Sequence, residues 1–312
     1  MNTLSQAVNG FLFAAALLPV AAQAAPLEGT IKIDGSSTVF PITEAVAEEF
    51  RNEQPKVKVT VGMSGTGGGF KKFTAGETDI NDASRPIKPE EVAVAKQNKI
   101  DFIELPVAFD GITVIVNPKN TWAKTITMAQ LKKLWDTGST AKTWKDLDPS
   151  WPANPIKLYG PGTDSGTFEF FTEAVNGKSK QSRPDYTASE DDNVLVTGVA
   201  GDENALGYLG HGYYEENKSK LKALAIDAGK GAIEANDATI SARAYALSRP
   251  LFIVVSTKAA AKPEVDAFVK FYLKNVGTLA HAVGYTALPK AMIDEATKRY
   301  EARKTGTWQA SL

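Results

Sequence analysis

The chain contains no cysteine, and this absence excludes several kinds of chemistry. Without thiols there is no disulfide framework, no thiolate nucleophile, no cysteine-ligated zinc and no lipid-modified N-terminal cysteine. Histidine is scarce as well, since His211 and His281 are the two that occur in 312 residues. No cluster of His, Asp and Glu has metal-ligand spacing, so we expect neither a metal nor another cofactor.

An excess of one charge sign and long hydrophobic runs are also missing. The 35 basic and 36 acidic residues give a net charge of -1 and a pI of about 6.2. Such a balance creates no long-range field that would gather nucleic acid or an anionic membrane surface. We therefore expect no nucleic-acid partner, and any bound anion must be held by local contacts. Beyond the N-terminus, no apolar run is long enough for a transmembrane helix.

The N-terminal segment has the features of an export signal. Residues 11–22 (FLFAAALLPVAA) are too few to span a bilayer but suit the core of a signal peptide, and Ala22-Gln23-Ala24 has the small-x-small form of a cleavage site. No Lys or Arg precedes Lys32, which departs from the usual positively charged start. The segment predicts a signal peptide over residues 1–24 and a soluble mature protein in the periplasm.

The remaining sequence alternates short β-prone runs with amphipathic helical patterns, as in open α/β sheets. A length of 312 residues exceeds a typical domain of about 100 to 200 residues, which favours two lobes. Strands are predicted at 30–34, 56–62, 109–118, 156–160 and 250–257, and helices at 42–52, 67–74, 128–135, 191–199 and 258–274.

Two strongly β-prone runs, FDGITVIVNP (109–118) and PLFIVVST (250–257), lie far apart in the sequence. Each follows a stretch that would complete a lobe, so we interpret them as the two crossings between lobes. This interpretation places residues 27–110 and 250–312 in lobe I and residues 111–249 in lobe II.

Three clusters rich in Gly, Ser and Thr stand where a predicted strand gives way to a helix: GSST (35–38), SGTGGG (64–69) and DSGT (164–167). The first turn of a helix exposes backbone N–H groups without internal partners and carries a partial positive charge. Glycine allows close approach of the backbone, and Ser or Thr adds a hydroxyl donor. Clusters from both lobes could thus surround a tetrahedral oxyanion without a basic patch.

Each cluster also has a purely structural interpretation. A Ser or Thr before a helix is most often an N-cap, and a run of Gly is most often a turn. The recurrence at three strand-to-helix junctions favours anion binding. Arg85, in the run DASRP, is the obvious positively charged candidate, and its structural alternative is a surface salt bridge.

The order of these motifs resembles a known family. The segments are DGSSTVFP (34–41), GMSGTGGGFKKF (62–73), DASRPI (82–87), GPGTDSGTFEFF (160–171), GVAGDENALGYLG (198–210) and LSRPLFIVV (247–255). Together they are similar to the periplasmic phosphate-binding proteins of phosphate ABC transporters over nearly the whole mature chain. The resemblance implies the type II periplasmic-binding-protein fold, two α/β lobes joined by a two-strand hinge. It also implies inorganic phosphate as ligand, the membrane permease subunits of an importer as partners, and no enzymatic activity; we expect a monomer.

The same resemblance implies the residues that bind the ligand. On the loops of the family they are Ser37, Thr38, Ser64, Gly65, Ser84, Arg85, Ser165, Gly166 and Thr167.

This chain departs from the enterobacterial members at two positions. They carry an Asp where this chain has Arg85, and an Arg ahead of the Ser-Gly-Thr run, where it has residues 160–163 (GPGT). A carboxylate in the site can accept a hydrogen bond from monohydrogen phosphate and repels sulfate, which has no proton. Asp164 is the first candidate for this acceptor and Asp82 the second; either could instead cap a helix.

Other functions remain open from the sequence. The fold also hosts proteins that bind sulfate, molybdate or tungstate, so the fold does not decide the oxyanion. A secreted phosphatase is the main enzymatic alternative, although Ser64 lies in no Gly-x-Ser-x-Gly elbow and metal-ligand spacing is lacking. An adhesive or matrix role ranks last, because the sequence has no repeat or disulfide framework.

Overall fold

A computed structural model describes residues 27–308 of the chain. The predicted signal peptide, residues 1–24, lies outside the described residues. Within them the strands are β1 (Gly29–Gly35), β2 (Val57–Gly62), β3 (Ile80–Ala83), β4 (Phe102–Val116), β5 (Thr125–Thr127), β6 (Lys157–Gly160), β7 (Thr187–Ala188), β8 (Ala205–Gly210), β9 (Lys222–Ala223), β10 (Ala225–Asp227), β11 (Ala232–Ile233), β12 (Ser248–Ser256) and β13 (Thr286–Ala287). The helices are α1 (Phe40–Glu53), α2 (Thr66–Thr74), α3 (Pro89–Gln97), α4 (Met128–Trp135), α5 (Trp144–Leu147), α6 (Gly166–Asn176), α7 (Asp192–Gly201), α8 (His211–Asn217), α9 (Asp237–Ser241), α10 (Thr257–Ala260), α11 (Pro263–Ala282) and α12 (Lys290–Glu301).

Most strands join one long sheet with the order β2-β1-β3-β12-β4-β8-β6-β7, and β13 and β9 also pair with β4. Strand β1 is parallel to both β2 and β3, whereas β12 lies antiparallel between β3 and β4. The carboxyl ends of β1, β2 and β3 therefore meet at the edge where β12 begins. Loops leaving these strands converge on that edge, as in other open α/β sheets.

Strand β4 is shared by two halves of the sheet. Residues 102–111 of β4 pair with β12, and residues 112–116 pair with β8. All fifteen of its residues are buried. We call the half with β1, β2, β3 and β12 the first lobe, and the half with β8, β6 and β7 the second lobe.

Helices cover both faces of each half. In the first lobe α1 and α11 cover one face, where Phe50 and Phe268 have ring centroids 5.3 Å apart, and α2 and α3 cover the other. In the second lobe α4 and α6 pack on one face through Trp135, Phe171 and Tyr208, and α7 packs on the other. The predicted α/β class with two lobes is confirmed.

The residues of the apolar clusters can be compared with the predicted boundary between the two lobes. The first lobe's two clusters draw their buried residues from 31–108 and 251–300, whereas the main cluster of the second lobe spans 109–247 and adds Leu288. Met292 and Ile293 also pack against the second cluster, so a short piece of the C-terminal segment contacts the second lobe. The division into residues 27–110 plus 250–312 and residues 111–249 stays a prediction.

The predicted helix 258–274 is wrong in its extent. Two helices occupy this region, because α10 ends at Ala260 and α11 begins at Pro263 and continues to Ala282. Proline has no N–H to donate, so it suits the first turn of a new helix and not the interior of a longer one. Across residues 27–308, no helix has both the length and the apolar composition that a bilayer crossing requires.

Candidate functional site

The loop that follows β1 folds back over the end of β3. Gly35 has φ = +147°, and a methyl group there would overlap the carbonyl oxygen of Asp82, so this turn requires glycine. The Ser36 N–H donates to the same carbonyl at 2.9 Å, and the Thr38 N–H donates to Ser36 Oγ at 3.2 Å. These bonds hold Thr38 buried at the sheet edge, with Ser37 half-buried beside it.

The loop that precedes α6 meets Thr38 from the second lobe. Ser165 is the N-cap, and its hydroxyl accepts hydrogen bonds from the N–H groups of Thr167 (3.1 Å) and Phe168 (3.4 Å). The N–H of Gly166 has no partner within the helix and lies at its positive end. A methyl group on Gly166 would overlap Thr38 Oγ1 and lie 3.1 Å from the Thr38 nitrogen. Two predicted binding loops, one from each lobe, are thus in contact.

Arg249, near the start of β12, stands between these two loops. Its Nη2 donates to Thr38 Oγ1 at 3.0 Å and to the Gly166 carbonyl at 3.2 Å, and its Nε donates to Asp110 Oδ2 at 3.1 Å. The guanidinium carbon lies 4.2 Å from the ring centroid of Phe170, a cation–π distance. Arg249 is 9% exposed. Its Nη1 makes no hydrogen bond to any residue in 27–308, so one donor nitrogen of a buried cation remains available where the lobes meet.

Asp110 is the cross-strand partner of Arg249 in the register of β4 and β12. It is 3% exposed, and burial raises the pKa of its carboxyl group, an effect that the charge and the hydrogen bond of Arg249 only partly offset. Oδ2 accepts from Arg249, whereas Oδ1 accepts from no group in the described part of the chain. The ion pair therefore holds Arg249 by Nε, while Nη2 bonds to the two loops and Nη1 has no partner among the described residues.

The loops after β2 and β3 bind each other through two hydroxyl groups. The Ser84 N–H donates to Thr66 Oγ1 at 3.1 Å, and the two hydroxyl oxygens are 2.9 Å apart. Gly65 caps α2 with φ = +76°, in the region that favours glycine. Ser84 and Gly65 thus lie at the sheet edge to which Thr38 belongs.

Ser64 belongs to a different group. Its N–H and its hydroxyl both donate to Asp34 Oδ1, while Lys72 Nζ lies 2.6 Å from Asp34 Oδ2. Burial alone would raise the pKa of Asp34, but the bonds from Lys72 and Ser64 outweigh it, so this pKa is lowered. The Ser64 side chain is exposed and its hydroxyl is committed to the Asp34 carboxylate.

Arg85 is held by Glu91 through two hydrogen bonds, from Nη1 at 2.9 Å and from Nη2 at 2.8 Å. Nη1 also donates to the Pro86 carbonyl at 3.1 Å, and the guanidinium carbon is 5.3 Å from the Phe70 ring centroid. This ion pair is the structural alternative to anion binding for Arg85. A role for Arg85 in ligand binding stays a prediction. The guanidinium group that bonds to loops of both lobes in this structure is that of Arg249.

The two carboxylates proposed from the sequence as proton acceptors lie elsewhere. Asp82 is fully buried below α1, where Thr43 Oγ1 donates to its Oδ1 at 3.0 Å and also lies 3.0 Å from the Tyr272 hydroxyl. Burial, together with the charge of Asp34, raises the pKa of Asp82 to about 8 against the opposing Thr43 bond. Asp164 is exposed, and its N–H donates to Glu190 at 3.2 Å. The carboxylate beside Arg249 is Asp110.

The buried Asp82 should make stability depend on pH. With an ordinary pKa of 3.8 unfolded and about 8 folded, it keeps a proton in the native state that the unfolded chain loses between about pH 4 and 8. Its contribution to stability therefore falls as pH rises through this window, by about 1.4 kcal/mol per pH unit. We expect Asp82→Asn to remove this slope from the free energy of unfolding, measured by urea denaturation at pH 5, 6 and 7. The exposed Asp164→Asn should keep the wild-type slope, and an unchanged slope in Asp82→Asn would contradict the assignment.

Sequence reasoning missed Arg249 and Asp110. Each is a single charged side chain inside a β-prone apolar run, SRPLFIVV and FDGITVIV. A charge in a buried strand requires a partner, and that is the signal the runs contain. The partner could not be identified from sequence because the two residues are 139 positions apart.

A two-lobed α/β fold with a buried cation between loops of both lobes is typical of a binding protein. A family profile described as PBP superfamily domain matches residues 20–276. Protein SphX of Synechococcus elongatus is 48% identical over 320 residues, covering 98% of this chain and 94% of that protein. The phosphate-binding protein PstS of Staphylococcus saprophyticus is 43% identical over 268 residues, covering 84% of this chain and 82% of that protein.

Solved structures agree with these relatives. A possible phosphate binding protein from Planctomyces limnophilus superposes with a TM-score of 0.84 at 48% identity, covering 89% of this chain and 99% of the other. A substrate-binding protein assigned to a phosphate ABC transporter of Clostridium perfringens, solved with bound phosphate, gives a TM-score of 0.61 at 27% identity, with coverage of 84% and 100%. The chain belongs to the PBP superfamily and, within it, to the family of PstS phosphate-binding proteins. It is a binding protein and not an enzyme.

Proposed function

We propose that this protein captures inorganic phosphate between its two lobes and delivers it to the permease subunits of an ABC importer. The observation that carries the proposal is Arg249, a buried cation that touches a loop of each lobe and keeps one guanidinium nitrogen without a partner in residues 27–308. A buried guanidinium with an open donor is suited to a tetrahedral oxyanion.

The neighbouring loops supply further donors from both sides. Ser37 and Thr38 stand on the first lobe, and the N-terminus of α6, formed by Ser165, Gly166 and Thr167, stands on the second. Charge-assisted hydrogen bonds contribute about 1.5 to 3 kcal/mol each, so four or five could reach the roughly 8 kcal/mol of a micromolar site. We propose these five residues and Arg249 as the ligand shell, with Ser84 and Gly65 at its edge.

Contacts from both lobes give a mechanism for closure. An anion that bonds to Thr38 and to Gly166 at once gains both sets of contacts only when the lobes are shut, so it shifts the population toward the closed form. A permease that recognises the closed form would then receive loaded protein. The proposed compartment is the periplasm, reached after removal of residues 1–24, and the proposed state in solution is a monomer. The name of the PstS relative, a phosphate-binding protein, supports phosphate as the ligand.

Calorimetric titration of ligand-stripped protein with phosphate and then with sulfate at neutral pH tests the proposal. We expect one phosphate to bind per chain with a Kd of about 1 μM or lower, and sulfate to bind at least about a hundredfold more weakly, the difference that two lost polar contacts produce. Heat from sulfate, molybdate or tungstate without heat from phosphate would retain the fold and overturn the ligand.

A further inference from the structure

We infer that the first lobe carries a second anion site, away from the ligand shell around Arg249, which binds the phosphate group of an organic phosphate ester. The site is a cavity of about 480 Å³ that is lined by the end of α12 and by the segment that follows it, residues 302–308. This cavity would bind its ligand whether or not the two lobes capture inorganic phosphate.

Arg299 is the buried cation of this cavity. It is 9% exposed, and its Nη2 donates to the backbone carbonyl groups of Thr305 (3.3 Å), Gly306 (2.7 Å) and Thr307 (2.9 Å). These bonds fix the segment after α12. Nε is buried without a hydrogen-bond partner, and Nη1 also makes no hydrogen bond to any residue in 27–308. A buried cation with unsatisfied donors favours an anionic partner.

The two carboxylates near Arg299 do not supply that partner. Burial lowers the pKa of Arg299, an effect that the charges of Glu104 and Glu295 only partly offset. The oxygens of Glu104 already accept the N–H groups of Ile87 and Trp308, so this carboxylate gives no hydrogen bond to the guanidinium. Glu295 is exposed and forms no ion pair within the described part of the chain. A bound anion would therefore offset the desolvation of Arg299 where neither carboxylate does.

Most of the other polar groups that line the cavity are donors. Lys298 and Lys304 are exposed, and neither forms a hydrogen bond through its ammonium group or an ion pair within residues 27–308. The hydroxyl groups of Thr305 and Thr307 and the indole N–H of Trp308 also have no hydrogen-bond partner there. An oxyanion accepts hydrogen bonds from several directions, and its bonds to cations are the strong ones. This set of donors is therefore complementary to a phosphate group.

The size of the cavity favours a phosphate group that belongs to a larger molecule. Pockets for small molecules have volumes of about 300 to 1,000 Å³, and the cavity is larger than a bare oxyanion fills. The Trp308 ring, whose centroid is 6.0 Å from the guanidinium carbon of Arg299, adds apolar surface beside the cations. An ester could place its phosphate group on the cations and its organic part on this ring.

The cavity is separate from the site between the lobes. Gly306, which lines the cavity, pairs with Ile103 near the start of β4. Asp110, the partner of Arg249, lies seven residues further along the same strand. At about 3.3 Å per residue, this separation is about 23 Å. Both sites can therefore be occupied at the same time.

NMR of the ¹⁵N-labelled protein tests the inference at Trp308. The chain has five tryptophans, and the other four lie in residues 122–151 of the second lobe, so their indole signals report on a different region. One equivalent of inorganic phosphate is added first to fill the site between the lobes. We then expect adenosine 5′-monophosphate (AMP) to shift the Trp308 indole signal with a Kd of about 1 mM or lower, and adenosine, which lacks the phosphate group, to leave it unshifted.

A double variant, Lys298→Glu with Lys304→Glu, reverses two exposed charges and leaves Arg299 and its carbonyl bonds in place. We expect it to fold and to raise the AMP Kd at least about tenfold, the effect of losing a charge-assisted contact. Lys58→Glu is the matched control, because Lys58 is exposed on the edge strand β2 and does not line the cavity. This control should keep the wild-type Kd. An AMP affinity in the double variant equal to that of the wild type would refute the site.

Vesicles of phosphatidylglycerol distinguish a lipid headgroup from a soluble ester, since both present the same phosphate ester group. Cosedimentation of the wild type and of Lys58→Glu, but not of the double variant, would identify the lipid headgroup as the source. An AMP-induced shift of the Trp308 signal without cosedimentation would identify a soluble ester. A wild-type protein that responds to neither AMP nor the vesicles would overturn the inference, whatever calorimetry shows for inorganic phosphate between the lobes.

Discussion

Replacing Arg249 by methionine is expected to raise the Kd for phosphate by about a hundredfold or more. Methionine keeps much of the side-chain volume but removes the buried charge and every guanidinium donor, including the bonds to Thr38 and Gly166 that span the lobes. Loss of two charge-assisted contacts corresponds to at least this factor. Asp110 loses its partner, and its already raised pKa allows it to take up a proton instead of remaining as an unpaired charge. Titration calorimetry gives the affinity, and circular dichroism confirms that the variant is folded.

The matched control is Arg85→Met, which removes the same chemical group from the loop after β3. Because Glu91 already neutralises this guanidinium through two bonds, we expect the phosphate Kd to change less than about threefold, which corresponds to less than about 0.7 kcal/mol. The reverse result, with Arg85→Met losing binding and Arg249→Met retaining it, would make Arg85 the cation of the site, as the family resemblance predicts.

The second large effect is expected from Gly166→Ala. A methyl group at this position would overlap Thr38 Oγ1, which belongs to the other lobe, so the closed arrangement has no room for it. The first turn of α6 accepts alanine readily, and the second lobe can fold as before. We therefore expect a folded protein whose lobes cannot shut on the ligand, with phosphate binding weakened about fiftyfold or more by the loss of the contacts from one lobe.

Gly201→Ala provides the comparison, since a methyl group at this position of α7 would meet no atom within 4 Å. We expect it to bind phosphate like the wild type. Small-angle scattering with and without phosphate then distinguishes the variants: Gly201→Ala should contract on binding, and Gly166→Ala should not. Wild-type affinity in Gly166→Ala would show that Thr38 and Gly166 do not approach each other in the bound form.

Much of the fold can be predicted from the sequence because the apolar positions of its local strand and helix patterns are the positions that are buried in the structure. The predicted strand 30–34 is one residue shorter than β1 at each end, and the predicted helix 128–135 has the same bounds as α4. The strand predicted to begin at residue 109 begins at Phe102 in the structure. The sequence does not predict its first half because Glu104 and Pro106 interrupt the apolar pattern there. Glu104 tolerates burial by accepting the N–H groups of Ile87 (2.8 Å) and Trp308 (2.7 Å), contacts between distant parts of the chain that no local pattern encodes.

The candidate site is predictable where it consists of backbone and caps. The Gly, Ser and Thr residues at strand-to-helix junctions predict the N-terminus of α6 and the loop at Thr38 as binding loops, and these two loops meet in the structure. The buried ion pair could not be found in this way, since its members lie in strands brought together by antiparallel pairing. The surroundings of Asp82 could not be predicted for a related reason: its side chain faces α1 and Tyr272, and strand alternation decides such a direction only once the neighbouring helices are known.

The ion pair lies where β12 pairs with β4, next to the point at which β4 passes from the first lobe to the second, so an anion bound there would lie close to the junction of the lobes. A small difference in anion radius close to this junction changes the angle between the lobes. The same change in angle produces a large difference in the distance between the outer edges of the two lobes. A partner protein that contacts the outer edges of both lobes would therefore respond to the size of an anion that it does not contact. The junction of the lobes would thus convert a difference in ionic radius into a difference in the separation of two distant surfaces.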